Sequence, residues 1–477
     1  MTEASNTGKQ RALSLDAFRG YAILTMILSG SIVWGVLPAW MYHAQEGPRS
    51  GFHFDPTIYG ITWVDLVFPF FLFAMGAAFP FSIGNKITHG KTKRQILGDI
   101  ILRYFRLLVF AIAVQHLYPY FISAPQDLRS WVIALSGFAL LFPMYMRLPG
   151  HWSKLVRMAV RLIGYGLMAF MVLSVSYANH QGFSLSDSNI ILLLLANMAL
   201  FGSLIYVCTV DNGWLRVAVL PMLAGMLLAA RNTTSWNHIV FEFTPVSWAF
   251  RFDYLKYLFI VIPGSFAGEY LKDWCIKATS KSPDRKENNY LVTIGLTLIP
   301  VLIIIVNLYG LYTRALLLNL GCTLTLLAFM HILISRSSGI SRELWKKMYR
   351  AGAYLLVLGL VFEAFEGGVR KDTATFSYYF ITSGLAFLSF ITFHLLCDVF
   401  QIKWLTHSLG YAGQNPMIAY VAIDLLIMPV LNLTGAASYL EVFSRSALLG
   451  FTQGVVLTTL AFLVTYVLTK RGCHWRT

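Results

Sequence analysis

Ile61-Thr62-Trp63-Val64-Asp65-Leu66-Val67-Phe68-Pro69-Phe70-Phe71 places one carboxylate at the start of an otherwise apolar segment. Residues 61–84 extend this segment to the length of a membrane-spanning helix, because about 20 mainly apolar residues cross the hydrocarbon core of a bilayer. The stretch therefore predicts a helix that starts beside Asp65 and crosses a membrane. Asp65 is a candidate functional residue, since an ionisable side chain inside a membrane segment is costly and usually has a role.

The composition extends this interpretation to the whole chain. Of 477 residues, 57% are hydrophobic and only 12% are charged, which is more apolar surface than one water-soluble core can bury. We expect an all-α polytopic membrane protein, with residues 1–477 forming one transmembrane domain in the lipid bilayer and about 14 spans within a range of 10 to 14. The expected spans are 15–37, 61–84, 98–120, 129–147, 158–177, 189–210, 215–230, 255–272, 290–309, 314–335, 350–366, 376–397, 410–431 and 447–469.

The basic residues predict the orientation of these spans. The formal charge of +15 does not indicate a nucleic-acid partner, because the Lys and Arg residues lie mostly in alternate loops. By the positive-inside rule the basic loops and both termini are cytoplasmic, and residues 277–289 form a cytoplasmic linker between two helical halves. Loop 38–60 is then external. The basic residues in question are Lys86, Lys91, Lys93, Arg94, Arg147, Lys154, Arg157, Lys272, Lys277, Lys281, Arg285, Lys286, Arg336, Arg342, Lys346, Lys347, Arg350, Lys470, Arg471 and Arg476.

Two histidines precede Asp65 in the external loop, His43 and His53. An imidazole can accept a proton from an attacking amine or hydroxyl near neutral pH. A carboxylate that accepts its other N–H fixes the tautomer and stabilises the imidazolium, as in the His-Asp pairs of acyl transfer. Asp65 alternatively only caps its helix, with Thr62 as the competing cap. Spacing alone leaves both histidines open.

Other polar residues suggest binding roles. Asp16 and Arg19 lie three apart at the start of the first span, so they share a helix face and can pair, and Arg19 suits an anionic ligand. We expect Asn415 and Asp424 to face the helix bundle, because buried polar and charged groups in a membrane must find partners. The cysteines show neither a C-x-x-C pair nor a metal-ligand spacing, so the sequence predicts no metal site. They are Cys208, Cys275, Cys322, Cys397 and Cys473.

Four stretches resemble one known family. Ser14-Leu15-Asp16-Ala17-Phe18-Arg19-Gly20, followed by residues 65–76 (DLVFPFFLFAMG), is similar to the amino-terminal pattern of the heparan-α-glucosaminide N-acetyltransferase family and its bacterial relatives. Residues 371–378 (KDTATFSY) resemble that family's K-x-x-x-S-x-S-Y stretch, and residues 411–420 resemble its Y-x-G-x-N-x-x-x-x-Y stretch. The middle of the chain, about residues 120–350, shows no such match.

The resemblance implies a membrane acyltransferase that moves an acetyl group from cytoplasmic acetyl-CoA to an amino sugar or glycan across the membrane, centred on an external-loop histidine. Tyr42-His43-Ala44 best matches the family's approach to that histidine, although the family's W-N-G is missing here; His53 is the alternative. The resemblance also implies a homodimer and, from the bacterial relatives, the inner membrane. The residues it assigns to substrate or cofactor binding are Asp16, Arg19, Lys371, Ser377, Asn415 and Tyr420.

A secondary transporter or glycan flippase without acyl chemistry is the alternative function. Many helices with a few charges inside the membrane are also typical of transporters. The chain shows no convincing internal repeat, and a histidine precedes Asp65, so acyl transfer is the favoured hypothesis.

The charge pattern predicts the location of Thr477. A reporter that is active only in the periplasm should be silent when fused there, and a reporter that is active only in the cytoplasm should give signal. The same pair fused within loop 38–60 should give the reverse result. Strong periplasmic activity at Thr477 would overturn the predicted orientation.

Overall fold

The fold is helical throughout the part of the chain that can be described. The computed structural model describes residues 12–178, 182–280 and 290–476, and within these ranges it contains no β-strand, only an isolated bridge between Met146 and Trp475. The all-α prediction is therefore confirmed. The α-helices are α1 (Leu13–Ser31), α2 (Trp63–Ala77), α3 (Phe79–Thr88), α4 (Lys93–Leu117), α5 (Pro119–Ile122), α6 (Leu128–Tyr145), α7 (Lys154–Ser174), α8 (Ile190–Cys208), α9 (Gly213–Ala229), α10 (Trp236–Glu242), α11 (Leu258–Ser280), α12 (Tyr290–Thr313), α13 (Leu316–Arg336), α14 (Ser341–Glu366), α15 (Phe376–His394), α16 (Lys403–Gln414), α17 (Pro416–Ala422), α18 (Met428–Leu433) and α19 (Ala447–Lys470).

Six shorter helical segments complete the list. The 3₁₀ segments are Ala39–Met41, Pro48–Ser50, Phe252–Tyr257 and Ala436–Arg445, and the π-helical segments are Leu395–Val399 and Ile423–Ile427.

Ten helical stretches of the described residues are long and apolar enough to cross a membrane. The protein is therefore an integral membrane protein. Ten lies at the lower limit of the predicted range, and the expected count of 14 is not confirmed. The other four expected spans coincide with α1, α4, α9 and α11, which are shorter or interrupted by charge: α9 has 17 residues, and α4 contains Asp99 and Arg103. The ten stretches are Trp63–Thr88, Leu128–Tyr145, Lys154–Ser174, Ile190–Cys208, Tyr290–Thr313, Leu316–Arg336, Ser341–Glu366, Phe376–Val399, Pro416–Leu433 and Ala447–Lys470.

Some predictions fall outside the described residues. Met1, Thr477 and residues 281–289 of the expected linker 277–289 belong to this group. The orientation of both termini and the single-domain organisation stay predictions.

Contacts divide the chain into two compact units, each assembled from three stretches. We call them unit 1 and unit 2. Unit 1 comprises Met1–Arg19, His43–Ser82 and Pro263–Gly410, and unit 2 comprises Gly20–Tyr42, Ile83–Ile262 and Tyr411–Thr477.

Unit 1 is organised around α15, which is buried along almost its whole length and packs against α2, α12 and α14. Glycines allow the closest approaches: a Cβ atom added to Gly384 of α15 would lie 2.6 Å from the backbone nitrogen of Leu356 in α14. Gly264 and Gly268 of α11 likewise contact the backbone of α2 at Phe73 and Ala77. Such small residues let membrane helices pack backbone to backbone. These close contacts fix the position of α2, the helix that carries Asp65.

The carboxyl-terminal segment packs into the core of unit 2. Trp475 packs its ring among Phe110, Phe138, Phe142 and Tyr145. The backbone N–H of the next residue, Arg476, donates to the Tyr145 carbonyl over 2.8 Å. The last described residues are thus part of the core of unit 2.

The glycine contacts generate a stability prediction. Gly268→Ala places a methyl group on the carbonyl oxygen of Ala77, so α2 and α11 must separate. We expect a lower melting temperature in detergent for this variant. Gly321→Ala in α13 is the matched control, because nothing lies within 4 Å of its added Cβ. It should leave the melting temperature unchanged or raise it, since alanine is favoured over glycine in helices by about 0.5–1 kcal/mol. Equal melting temperatures for the two variants would contradict the close packing.

Candidate active site

Asp65 lies in the first turn of α2, and its side chain is 2% exposed. Thr62 is the N-cap residue of this helix. The Oδ2 atom of Asp65 accepts the backbone N–H of Thr62 over 2.9 Å and that of Ala44 over 3.2 Å. A group that only accepts hydrogen bonds is an ionised carboxylate. Asp65 therefore caps its own helix and also anchors the preceding loop at Ala44.

The other oxygen of Asp65 holds His43. The Nδ1 atom of His43 lies 2.7 Å from Oδ1 of Asp65. Because the carboxylate can only accept, Nδ1 carries the hydrogen and Nε2 keeps its lone pair in the neutral ring. The His43 side chain is 30% exposed, so Nε2 is the basic nitrogen available to a bound molecule.

Lys371 completes a three-residue group. Its Nζ lies 3.1 Å from Nδ1 and 3.5 Å from Nε2 of His43, and 3.9 Å from Oδ1 of Asp65. Nδ1 already donates to Asp65, so it cannot accept from Lys371 as well, and the ammonium acts on the ring mainly through its charge. The group therefore combines a base with a nearby cation that can stabilise developing negative charge.

Gln45 holds Lys371 in place. The Gln45 side chain is buried; its Oε1 accepts the backbone N–H of Asp372 over 2.9 Å, and its Nε2 donates to the carbonyl of the same residue. A second link joins the backbone N–H of Gly60 to the Val369 carbonyl over 2.8 Å. The loop between α14 and α15 is thus fastened to the loop that carries His43.

Two further contacts fix the start of α15. The Tyr378 hydroxyl donates to the backbone carbonyl of Asp65 over 2.8 Å. The Glu366 carboxylate accepts the backbone N–H groups of Phe376 and Ser377, each over 2.9 Å, as a helix N-terminus favours. These bonds set the beginnings of α2 and α15 relative to each other.

Part of the sequence matches a known protein family. Residues 11–271 match the family described as "Domain of unknown function (DUF5009)", which is more than half of the chain. The chain belongs to the DUF5009 family.

Two curated proteins also show similarity to part of the chain. A human protein named heparan-alpha-glucosaminide N-acetyltransferase is 31% identical over 105 residues, covering 22% of this chain and 14% of the human protein. The mouse protein of the same name is 28% identical over 112 residues, covering 24% of this chain and 15% of that protein. The predicted resemblance is confirmed, and the match spans less than a sixth of each relative's length.

The structure separates the two candidate histidines of this DUF5009 protein. His43 contacts Asp65 and Lys371, whereas His53 is exposed and its Nδ1 lies 2.7 Å from the Gly51 carbonyl. Lys371 joins the site, as the motif in residues 371–378 implied. The catalytic assignment of His43 and Asp65 stays a prediction.

The other predicted binding residues in unit 1 lie in different environments. Asp16 and Arg19 form an ion pair of 3.9 Å at the start of α1. Ser377 is buried, and its hydroxyl donates to that of Thr375 over 2.9 Å. The binding roles of these three residues stay predictions.

The two predicted residues of unit 2 have partners of their own. The amide of Asn415 donates to the Cys473 carbonyl over 2.8 Å and accepts the Trp475 backbone N–H over 3.1 Å. Asn415 is thus buried inside unit 2. The predicted binding roles of Asn415 and Tyr420 stay predictions. The Tyr420 hydroxyl donates to Oδ1 of Asn189 over 3.1 Å.

Sequence reasoning missed Gln45 and Tyr378. The sequence around Gln45 does not indicate a structural role, because the partner of its side chain is the backbone of a residue more than 300 positions away. Tyr378 is the last residue of the 371–378 motif, so that motif could have identified it as a candidate site residue. Among the described residues, no group of three or more His, Cys, Asp or Glu could hold a metal ion.

The Gln45 contacts generate a stability prediction. Gln45→Ala leaves the backbone N–H and carbonyl of Asp372 without their partners, and a buried unsatisfied group costs about 1–3 kcal/mol. We expect a clear loss of thermal stability, measured by differential scanning fluorimetry. Gln453→Ala is the matched control, because Gln453 makes one long bond of 3.4 Å to the Ser31 carbonyl. A control that loses as much stability as Gln45→Ala would refute the proposed anchoring.

Proposed function

We propose that this protein is a membrane acetyltransferase that moves an acetyl group from cytoplasmic acetyl-CoA to an amine or hydroxyl of an amino sugar or glycan on the periplasmic side. The observation that carries this proposal is the His43–Asp65 contact of 2.7 Å, with Lys371 beside the ring. The named activity of the similar human and mouse proteins supports the same reaction class.

The geometry supports two routes for the acyl group. In direct transfer, Nε2 of His43 removes the proton as the acceptor nitrogen or oxygen bonds to the acetyl carbon, and the carbon–sulfur bond breaks to release the thiolate of coenzyme A. In the covalent route, Nε2 attacks the acetyl carbon first, the thiolate leaves, and the acceptor then displaces His43. In both routes Asp65 keeps the proton on Nδ1, and Lys371 is placed to stabilise negative charge.

The position of the site within unit 1 supports an external location. His43, Asp65 and Lys371 lie at the end where α2 begins and α14 ends. The basic loop between α13 and α14 lies at the other end of α14, a helix of 26 residues and about 40 Å. The positive-inside rule favours a cytoplasmic location for that loop, which supports an external location for His43. The basic residues there are Arg336, Arg342, Lys346, Lys347 and Arg350.

The proposed donor binds with its phosphates at the cytoplasmic face, and its pantetheine arm enters a channel between the helices so that the thioester reaches His43. Arg19 is a guanidinium at the predicted cytoplasmic start of α1, where it suits the phosphates of coenzyme A, and Asp16 orients it through their ion pair. The proposed location is a bacterial inner membrane, and the proposed assembly is a homodimer, both from the resemblance alone.

The first test is direct. Purified protein should be stabilised against heat by coenzyme A or acetyl-CoA, because a ligand that binds only the folded state raises the melting temperature. It should also consume acetyl-CoA when an amino sugar is supplied. Protein that transports a sugar, shows no thermal shift with millimolar coenzyme A and consumes no acetyl-CoA would support the transporter instead.

The second test uses matched histidine variants. His43→Ala should lower transfer by about 100-fold or more, in the range for loss of a general base, while the thermal shift with coenzyme A persists. Asp65→Asn should also lower the rate, because it removes the group that fixes the tautomer of His43.

His53→Ala is the control, since His53 makes no contact with Asp65 and should retain wild-type transfer. If His53→Ala abolishes transfer while His43→Ala does not, the catalytic assignment is wrong although the enzyme class stands. Full activity in all three variants would show that the proposed histidine mechanism is wrong.

A further inference from the structure

Arginines from separate stretches of unit 2 lie around the buried residue Tyr145 at the end of α6. The Tyr145 hydroxyl donates to the backbone carbonyl of Arg106 in α4 over 2.9 Å. The Tyr145 carbonyl accepts the backbone N–H of Arg476 over 2.8 Å. The Tyr145 ring contacts that of Tyr165 in α7 with centroids 6.2 Å apart, and Arg161 lies one turn before Tyr165 on the same helix face. Three stretches of the chain thus bring an arginine close to Tyr145.

A fourth arginine lies in the bridge between Met146 and Trp475. The backbone N–H of Arg147 donates to the His474 carbonyl over 2.9 Å, and the two segments run antiparallel. Alternate residues of paired segments point to opposite faces. Trp475 is accordingly buried, whereas Arg147 and Arg476 are exposed. Diagonal neighbours such as these two arginines lie about 7–8 Å apart, so two positive charges project from one face of the bridge.

Acidic residues do not neutralise these four arginines. Residues 128–186 and 442–477 contain no Asp or Glu. Within the described part of the chain, none of the four side chains forms an ion pair, and the buried Nε–H of Arg161 has no hydrogen-bond acceptor. Other basic residues of unit 2 are paired, as Lys86 is with Asp99 over 2.7 Å. The charge of the four arginines is therefore available to an anion that the protein binds.

The surroundings of these arginines suit a phospholipid. α7 is a membrane-spanning stretch, and its residues Leu155 and Leu162 are exposed. Guanidinium groups form paired hydrogen bonds with phosphates, and basic pockets between transmembrane helices bind the head groups of anionic lipids. The positive-inside rule favours a cytoplasmic location for this end of unit 2, where the leaflet is negatively charged. A lipid can place its head group at the arginines and its acyl chains along α7.

We propose that an arginine cluster at this end of unit 2 binds the phosphate of an anionic phospholipid head group. Its members are Arg106, Arg147, Arg161 and Arg476. Tyr145 holds the backbone of two of them through hydrogen bonds, so the charges are gathered before the lipid binds. The proposal goes beyond acetyl transfer and does not rest on the function proposed above.

Phosphatidylglycerol and phosphatidylcholine with the same acyl chains are suitable probes, because their head groups differ in net charge. Phosphatidylglycerol should raise the melting temperature of the full-length protein in detergent more than phosphatidylcholine does at the same molar ratio. The affinity for phosphatidylglycerol, measured by native mass spectrometry, should fall about fivefold in Arg161→Gln and in Arg476→Gln. Fivefold equals about 1 kcal/mol, the contribution of one basic residue near an anionic membrane surface.

Arg129→Gln is the matched control. Arg129 is an exposed arginine of the same unit, but it lies at the start of α6, at the opposite end of that helix from Tyr145, and donates to the Ser176 hydroxyl over 3.3 Å. This variant should bind phosphatidylglycerol as the wild type does. Arg476→Gln, at an exposed position, provides the test if Arg161→Gln does not fold.

Two further measurements separate a lipid from a soluble phosphate. Millimolar inorganic phosphate should protect the wild type against heat less than phosphatidylglycerol does, and any thermal shift with coenzyme A should be the same in the wild type and in Arg476→Gln. A coenzyme A shift that is lost in the arginine variants, while lipid binding is unchanged, would assign the cluster to a soluble phosphate and overturn the proposal.

Three other results would overturn it: equal effects of the two lipids, equal protection by inorganic phosphate, or wild-type affinity for phosphatidylglycerol in the folded arginine variants. A protein that does not respond to coenzyme A would contradict the proposed function and leave the lipid results standing, so the two proposals are tested separately.

Discussion

One buried carboxylate, that of Asp65, determines both where α2 begins and how the site is arranged. Its charge is out of contact with water, so each oxygen needs donors. Oδ2 takes the N–H groups of Thr62 and Ala44, and Oδ1 takes His43 with Lys371 beside it. The same carboxylate thus caps the helix and pairs with His43. Any change that moves the start of α2 also moves the imidazole.

The loops around Asp65 are held together by hydrogen bonds to backbone groups. Gln45 and Gly60 fasten the loop before α2 to the loop before α15, and Tyr378 fastens α15 to the first turn of α2. Those loops can meet only because their helices approach closely, which the glycines of α11, α14 and α15 permit. Close helix packing therefore fixes the loops that carry His43 and Lys371. Rigid elements position functional groups better than mobile loops do.

The sequence predicts the class of fold and part of this site. Apolar length predicts membrane helices well, but it leaves their number open where charges interrupt a helix, as in α4, or where a helix is short, as in α9. Asp65 stands out because a charge in an apolar run is rare. His43 and His53 could not be separated by spacing, since only the loop path decides which ring reaches Asp65. Lys371 was found only through resemblance, and Gln45 was missed, because contacts across more than 300 residues leave no local pattern.

Asp65 and Asp424 show how the supply of partners separates two carboxylates of the same type. Asp65 is given donors by its own chain on both oxygens, so its charge is fully used in holding His43 and the helix start. Asp424 lies on the same helical stretch as Tyr420, whose hydroxyl donates to Oδ1 of Asn189 and not to Asp424. A charge that the fold pairs with donors acts by fixing the geometry around it, and on that reasoning Asp65 is a positioning group for His43.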